Sequence, residues 1–301
     1  MEYFPKFLDP RLPARLEGLA LRAKAIVEGY VAGRHRSPYH GFSVEFAEHR
    51  EYAPGDDLRY LDWKVFGRTD KFYLKRFQEE TDLTCGLLVD ASESMRYRSD
   101  RASWSKWECA QCTAAALAYL VLHRQDRVGL TVFAEQAQTV LRPDAGAGRF
   151  KDVVQALEAA SPAGGTVLGR VLHETAERYR RRGLIVVLSD FFAPLSDISV
   201  GLRHLRHRRH DVIVVQILDP QEVEFSFREP IRFRGLEGFP KQLADPRSLR
   251  PAYLREFGRF LAQLRAACRS LNIDYLLVRT DWPLDRVLTQ YLLTRAERGR
   301  G

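Results

Sequence analysis

The sequence predicts an α/β protein built on a doubly wound, mostly parallel sheet, with a smaller accessory module ahead of it. Three observations predict this. Short apolar runs of strand length recur, and two of them close on an aspartate. Amphipathic helical segments alternate with those runs from residue 83 onward. Residues 34–82 break the rhythm with charge, aromatics and turn residues. Continuous apolar runs belong to strands buried on both faces, the condition of a parallel sheet covered by helices.

In chain order, 10–33 reads as a helix, with Leu16, Leu19, Leu21, Ala23, Ile26 and Val27 at helical spacing. FSVEFA then alternates as a strand, PGDD makes a turn into a short helix at LRYLDW, and KFYLKRFQ alternates again. The buried strands are LTCGLLVD (83–90), RVGLTVFA (127–134), GLIVVLSD (183–190), DVIVVQIL (211–218) and IDYLLVRT (273–280). AQTVLRP follows the second of these closely enough for a hairpin. Helices are expected over 104–124, 149–160, 167–181, 195–209, 251–270 and 284–297. The stretch 219–250 interrupts the alternation with EVEFSF and IRFRG, which read as an inserted hairpin. The accessory module is therefore expected over 1–80 and the sheet domain over 81–301.

Composition bounds the function. With 301 residues, 45% hydrophobic and 29% charged, the chain can bury a large core. No stretch approaches the ~18 uninterrupted apolar residues of a membrane span, and the first 25 residues hold no apolar leader core. The expectation is a cytoplasmic protein with no membrane span. Four cysteines are too few for a disulfide framework. Cys109 and Cys112 form a CxxC, but they sit in an apolar helical run with no second ligand pair, which points to core packing. Lys and Arg number 47 against 39 Asp and Glu, a net charge of +8. The excess gathers in RYRRRG (178–183), RHLRHRRH (203–210) and RAERGR (295–300). The first two are helix ends just before strands, where peptide dipoles favour cations, and this argues against a nucleic-acid partner.

Ligands of an open parallel sheet gather at the carboxyl ends of its strands, where the strand order switches direction. Two expected strands end there in an acid. VDASESM supplies Asp90, Ser92 and Ser94, and VLSDFF supplies Asp190. Between them, GGTVLG places Thr166 in a glycine-bearing turn that opens a helix. Two carboxylates and three hydroxyls are hard oxygen donors, a set for Mg²⁺ or Mn²⁺ rather than zinc. Mg²⁺ keeps some of its water, which leaves a position for an outside oxygen ligand. The competing structural reading makes these residues helix caps and turns. Five donors in the order expected along one sheet edge favour the metal.

DASES, GGT and LSD, on alternating strands, resemble the metal-ion-dependent adhesion site of the von Willebrand factor type A fold. GFSVEFAEHREYAPGDDLRYLDWKVFGRTDKFYLKRFQEE resembles the hallmark of the domain of unknown function 58 family. DPQEVEF, the helix around Tyr253 and IDYLLVRTDWPL are similar to that family's C-terminal part, so the resemblance runs from about residue 30 to the end. It implies a protein that accompanies a MoxR-type AAA+ ATPase as an adaptor in chaperone-like assembly of client proteins. The expected function is thus a non-enzymatic, Mg²⁺-dependent interaction adaptor. Asp90, Ser92, Ser94, Thr166 and Asp190 would surround the ion, and an Asp or Glu of a partner protein would complete it. The alternative is a metal-dependent hydrolase acting on a phosphate or peptide, drawing on His49, Glu51, Asp56, Asp57 and Asp62. Against it, position 92 is serine where a phosphatase D-x-D pair needs an acid, and no GxxxxGK[ST] loop is present. The upstream acids, with Arg50, Arg59, Arg68 and Lys75 among them, read as a structural ion-pair network. Tyr52, Tyr60, Trp63, Phe66 and Tyr73 read as the packing of that module, with a docking surface as the other use of such aromatics.

Overall fold

The computed structural model describes residues 18–34, 46–51, 65–67, 72–77, 83–227, 231–233, 242–244 and 246–298. The chain divides into two compact units, one made of 1–34 with 84–301 and the other of 35–83. Helix α1 (Leu19–Arg34) opens the first unit. The second unit holds β1 (Phe46–Glu51) and β2 (Tyr73–Phe77), an antiparallel pair with an irregularity between Phe46 and Glu48. Within it the rings of Phe66 and Phe72 stack 4.4 Å apart.

The first unit is built on six strands. These are β3 (Thr84–Asp90), β4 (Arg127–Phe133), β5 (Ala137–Asp144), β6 (Leu184–Ser189), β7 (Asp211–Leu218) and, after a small hairpin, β10 (Asp274–Arg279). In space they run β10-β7-β6-β3-β4-β5. All neighbours are parallel except β5, which turns back antiparallel on β4. Counted along the chain, this is the doubly wound order 3-2-1-4-5-6, with its switch between β3 and β6. Strands β3, β4, β6 and β7 are buried almost throughout because helices cover both of their faces. The edge strand β5 instead alternates between partly buried and exposed residues, as a strand with one wet face should.

Helices α2 (Lys106–Leu122) and α3 (Arg149–Ala159) cover one face together with α1. Helices α4 (Leu168–Arg178) and α5 (Leu195–His207) cover the other. The chain continues through α6 (Pro220–Glu224), the hairpin β8 (Ile231–Phe233) and β9 (Gln242–Ala244), α7 (Pro246–Ser270) and α8 (Leu284–Arg298). Helix α7 joins the face of α4 and α5 through Leu264 and Cys268, and α8 joins the opposite face through Leu284 and Leu288.

The structure corrects the sequence expectation in two places. The sequence groups helix α1 with the accessory module over 1–80, but Leu19, Ala23, Ile26 and Val27 are buried in the same core cluster as α2 and β3. Its apolar stripe needs a partner face, and the sheet unit supplies it. The EVEFSF segment was read as one arm of a hairpin, but Pro220–Glu224 is a helical turn. Asp219 caps that turn by accepting from the Gln221 N–H, with proline at the first helical position. IRF does form a strand, and its partner is Gln242–Ala244.

The CxxC pair lies in α2 with both side chains buried and unoxidised. Burial pushes the Cys109 thiol up to about 12, so it behaves as a small hydrophobe. Two facing glycines have a packing reason. Gly86 on β3 is the register partner of Gly129 on β4, and a Cβ at either would lie within 3 Å of the buried Tyr179 ring or hydroxyl. Among the described residues no helix is long and apolar enough to cross a membrane.

His210, just before β7, is fully buried and donates from Nε2 to the Tyr179 carbonyl at 2.9 Å. Burial holds its pKa below the usual 6.5, outweighing the carbonyls of Tyr179 and Gly183. A histidine depressed in the folded state binds its proton first in the unfolded chain. Its contribution is therefore present above 6.5 and lost as pH falls below that value. Urea unfolding between pH 7 and pH 5 is expected to show this loss, with a weaker pH dependence in His210→Gln.

Candidate metal centre

The five oxygen-bearing residues singled out in the sequence meet at the switch between β3 and β6. Asp90 ends β3, and Asp190 follows β6 by one residue. Backbone hydrogen bonds set the loops around them. Ala91 N–H donates to the Phe133 carbonyl of β4 at 2.6 Å, Glu93 N–H to the Gly164 carbonyl at 2.8 Å, and Ala163 N–H to the Ala91 carbonyl at 2.9 Å. These bonds lay the 163–166 turn against the 90–94 loop. Gly164 takes a φ of +70°, a conformation that favours glycine, and a Cβ there would lie 2.9 Å from the Glu135 carboxylate.

The side chains form one connected set. Asp90 Oδ1 accepts from the Ser92 N–H at 2.8 Å, and Asp90 Oδ2 accepts from Thr166 Oγ1 at 3.2 Å. The hydroxyls of Ser92 and Ser94 are 3.1 Å apart, and Ser94 Oγ donates to Asp190 Oδ2 at 2.7 Å. Asp190 Oδ1 accepts from the Phe192 N–H at 3.1 Å. Phe191 between them adopts a φ of +63°, a strained value for a bulky residue. Asp90, Ser92, Ser94 and Asp190 are buried, while Thr166 is partly open and borders a cleft of about 440 Å³. Val167, Ala193, Pro194 and Val200 give that cleft apolar walls between the starts of α4 and α5.

Three more residues complete the site, and the sequence reading missed them. Ser189 Oγ donates to Asp90 Oδ2 at 2.6 Å. Its signal was the strand register, which pairs Val89 with Leu188 and so sets Ser189 beside Asp90. The other two are Lys106 and Glu222. Lys106 is buried at the start of α2, with Nζ 2.8 Å from Asp190 Oδ2 and 2.6 Å from Glu222 Oε1. The Phe192 ring lies 4.8 Å from the same ammonium. Burial works hardest against that charge, but Asp190 and Glu222 together outweigh it and hold the pKa of Lys106 above its usual value.

The two aspartates therefore differ. Asp190 has a cation against it. Asp90 has only hydroxyl and N–H donors, and no ammonium or guanidinium of the described residues bonds to it. Burial first, and then the charge of Asp190, push Asp90 up to about 6, although bonds from Ser189 and Ser92 work the other way. Three carboxylates against one ammonium leave the buried set with a formal charge of −2. A divalent cation would neutralise it, and hard carboxylate and hydroxyl oxygens are the donors Mg²⁺ and Mn²⁺ take. The residues present fit such an ion. Among the described residues no group of three or more His, Cys, Asp or Glu forms a metal set, because three of the five donors here are hydroxyls.

Of the residues considered for hydrolysis, His49 and Glu51 fall on β1, whereas Asp56, Asp57 and Asp62 lie outside the described residues. So do Arg59, Arg68, Tyr52, Tyr60 and Trp63. The basic runs at 178–183 and 203–210 end α4 and α5, as the dipole argument expects. Arg182 and Arg208 there pair with Asp211 and Glu177.

The chain is similar to several known proteins. A family model described as "Protein of unknown function DUF58" matches residues 48–257. A protein of Mycobacterium tuberculosis described as uncharacterized protein Rv1480 is 28% identical over 287 residues, covering 93% of this chain and 89% of its own. Similar solved structures include BatB from Bacteroides thetaiotaomicron, 17% identical with a TM-score of 0.43, covering 71% of this chain and 99% of that one. The SpRpn10 VWA domain is 12% identical with a TM-score of 0.39, covering 69% of this chain and 94% of its own.

Proposed function

We propose that this chain, which belongs to the DUF58 family of proteins of unknown function, captures a carboxylate of a partner protein through a divalent cation and performs no chemistry on it. One observation carries the reading: five oxygen-bearing side chains from three loops converge on a buried pocket of formal charge −2. Ser92, Ser94 and Thr166 would hold the ion together with Asp90 and Asp190. Bound there, Mg²⁺ or Mn²⁺ would supply a Lewis-acidic position for an Asp or Glu oxygen from outside.

The chain's own residues do the rest. Asp90 is kept ionisable and without a cation of its own, so it favours a metal. Ser189 and the Ser92 N–H fix the direction of its carboxylate. Thr166 is the partly open member, so a partner would approach on its side, along the cleft walled by Val167, Ala193 and Pro194. The same proposal makes the protein a cytoplasmic adaptor for a MoxR-type AAA+ ATPase acting on client proteins. That part rests on the family resemblance.

Calorimetry is expected to show Mn²⁺ binding by the wild-type protein. Partner proteins should be retained on immobilised protein in Mg²⁺ and released by chelator. Thr166→Ala should lose that retention while its thermal unfolding stays close to wild type, because Thr166 is partly exposed and makes one long hydrogen bond. Retention of the same partners by Thr166→Ala and Asp90→Ala, indifferent to chelator, would sink the reading. Metal-dependent turnover of a phosphate or peptide, lost in Asp190→Asn, would replace it with the hydrolase.

A further inference from the structure

Lys106 is a fully buried lysine, and its position is doubly unfavourable. It is the first residue of α2, where aligned peptide dipoles leave partial positive charge and a cation is disfavoured. Burial removes the water that would solvate it. Both penalties are met by its partners. Its ammonium lies 2.8 Å from Asp190 Oδ2, the oxygen that also accepts Ser94 Oγ at 2.7 Å. The ammonium and a metal-facing hydroxyl thus converge on one oxygen of one candidate ligand. The second partner, Glu222 on α6, lies outside the donor set: Oε1 accepts from the Lys106 ammonium at 2.6 Å, and Oε2 is fixed by accepting from the Asp219 N–H at 2.8 Å.

We propose that Lys106 is a built-in competitor of the divalent cation. It holds Asp190 in place while the site is free of metal, and its charge weakens the hold on a bound ion so that occupancy stays reversible. This rests on the metal reading above. The sign follows from the charges on the page. With the ammonium present, a divalent cation brings the set to neutrality. Without it, three carboxylates stand unopposed and attract the ion more strongly. A like charge a few ångströms away in a partly dry site is a larger effect than one hydrogen bond to Asp190. Glu222 acts in the opposite sense. It shares the ammonium with Asp190, so its loss leaves Lys106 to Asp190 alone and removes a negative charge from the set.

The test is titration calorimetry with Mn²⁺ on K106M and E222Q beside the wild type, in full-length protein. K106M is expected to bind Mn²⁺ about tenfold more tightly, and E222Q more weakly than wild type. Opposite signs matter here, because a triad that only props up the fold would loosen the site in both variants. Mn²⁺ should also raise the melting temperature of K106M more than that of wild type, since tighter binding gives a larger stabilisation at equal metal. Where K106M does not fold without metal, K106Q, which removes the charge but keeps a polar head for Asp190 and Glu222, carries the same prediction of tighter binding. Tighter binding in these variants supports the competitor role even where the wild type binds too weakly to detect, the result that fails the function proposed above. Affinity in K106M and K106Q equal to or below wild type overturns the competitor role and leaves that function standing. No binding in any of the proteins overturns both.

Discussion

Asp190→Asn is expected to lower the stability of the metal-free protein by about 3–5 kcal/mol, the loss typical of removing one partner from a buried ion pair. The measurement is urea unfolding at neutral pH in chelator. Asparagine keeps the size of the side chain, and its single amide oxygen can take over one of the two accepted bonds, from Ser94 Oγ or from the Phe192 N–H. What disappears is the negative charge against Lys106, which is itself fully buried. Glu222 remains, and it places the loss toward the lower end of that range. A loss smaller than about 1 kcal/mol, the worth of a surface pair, would mean that Lys106 is solvated in solution and that the buried triad is wrong.

The same substitution at the other aspartate is expected to do the reverse. Asp90→Asn should stabilise the metal-free protein by about 1–2 kcal/mol at neutral pH, because burial and the charge of Asp190 hold its acid up to about 6 and folding must ionise it there. A carboxyl raised in the folded state penalises folding wherever it must ionise. The penalty is full above about 6, shrinks as pH falls, and is absent below about 3.8, where both states are protonated. The advantage of Asp90→Asn over wild type should therefore fade between pH 6 and pH 4 and be small in saturating Mn²⁺, which relieves the wild type instead. A variant that is more stable yet no longer binds metal marks a residue kept for function at the expense of the fold. If Asp90→Asn is destabilising in chelator at pH 7, Asp90 has a cation partner and the charge pattern described for the site is incorrect.

Why one aspartate was half legible and its neighbour's partner not at all follows from the kind of information each requires. LTCGLLVD and GLIVVLSD announce strands by unbroken apolarity, and the rules of parallel sheets carry their acids to the switch point. That is local pattern plus general topology, and it reaches Asp90, Ser92, Ser94, Thr166 and Asp190. Lys106 is 84 residues before Asp190 and 116 before Glu222. Behind the capping serine of a long apolar helix it reads as a solvated first-turn residue, and only the packed structure shows that it points inward. Ser189 sits inside the apolar strand, and only the pairing register sets it beside Asp90. Helix α7 shows the same limit at an element boundary. Pro251 is a strong start signal, yet it lies inside a helix that begins at Pro246. EVEFSF alternated convincingly, but Asp219 and Pro220 outweighed the alternation by capping and starting a turn of helix.

The backbone bonds among Ala91, Phe133, Ala163, Glu93 and Gly164 have a practical consequence for anyone who sets out to redesign this pocket. Main-chain groups brace the 90–94 loop and the 163–166 turn against each other and against the end of β4, so the spacing of these two survives exchange of the oxygen-bearing side chains they display. Serine-to-alanine, threonine-to-serine or aspartate-to-glutamate swaps can then be compared as changes of coordination chemistry on a constant chassis. A palette of ion preferences could be written onto the same rim without rebuilding the sheet beneath it.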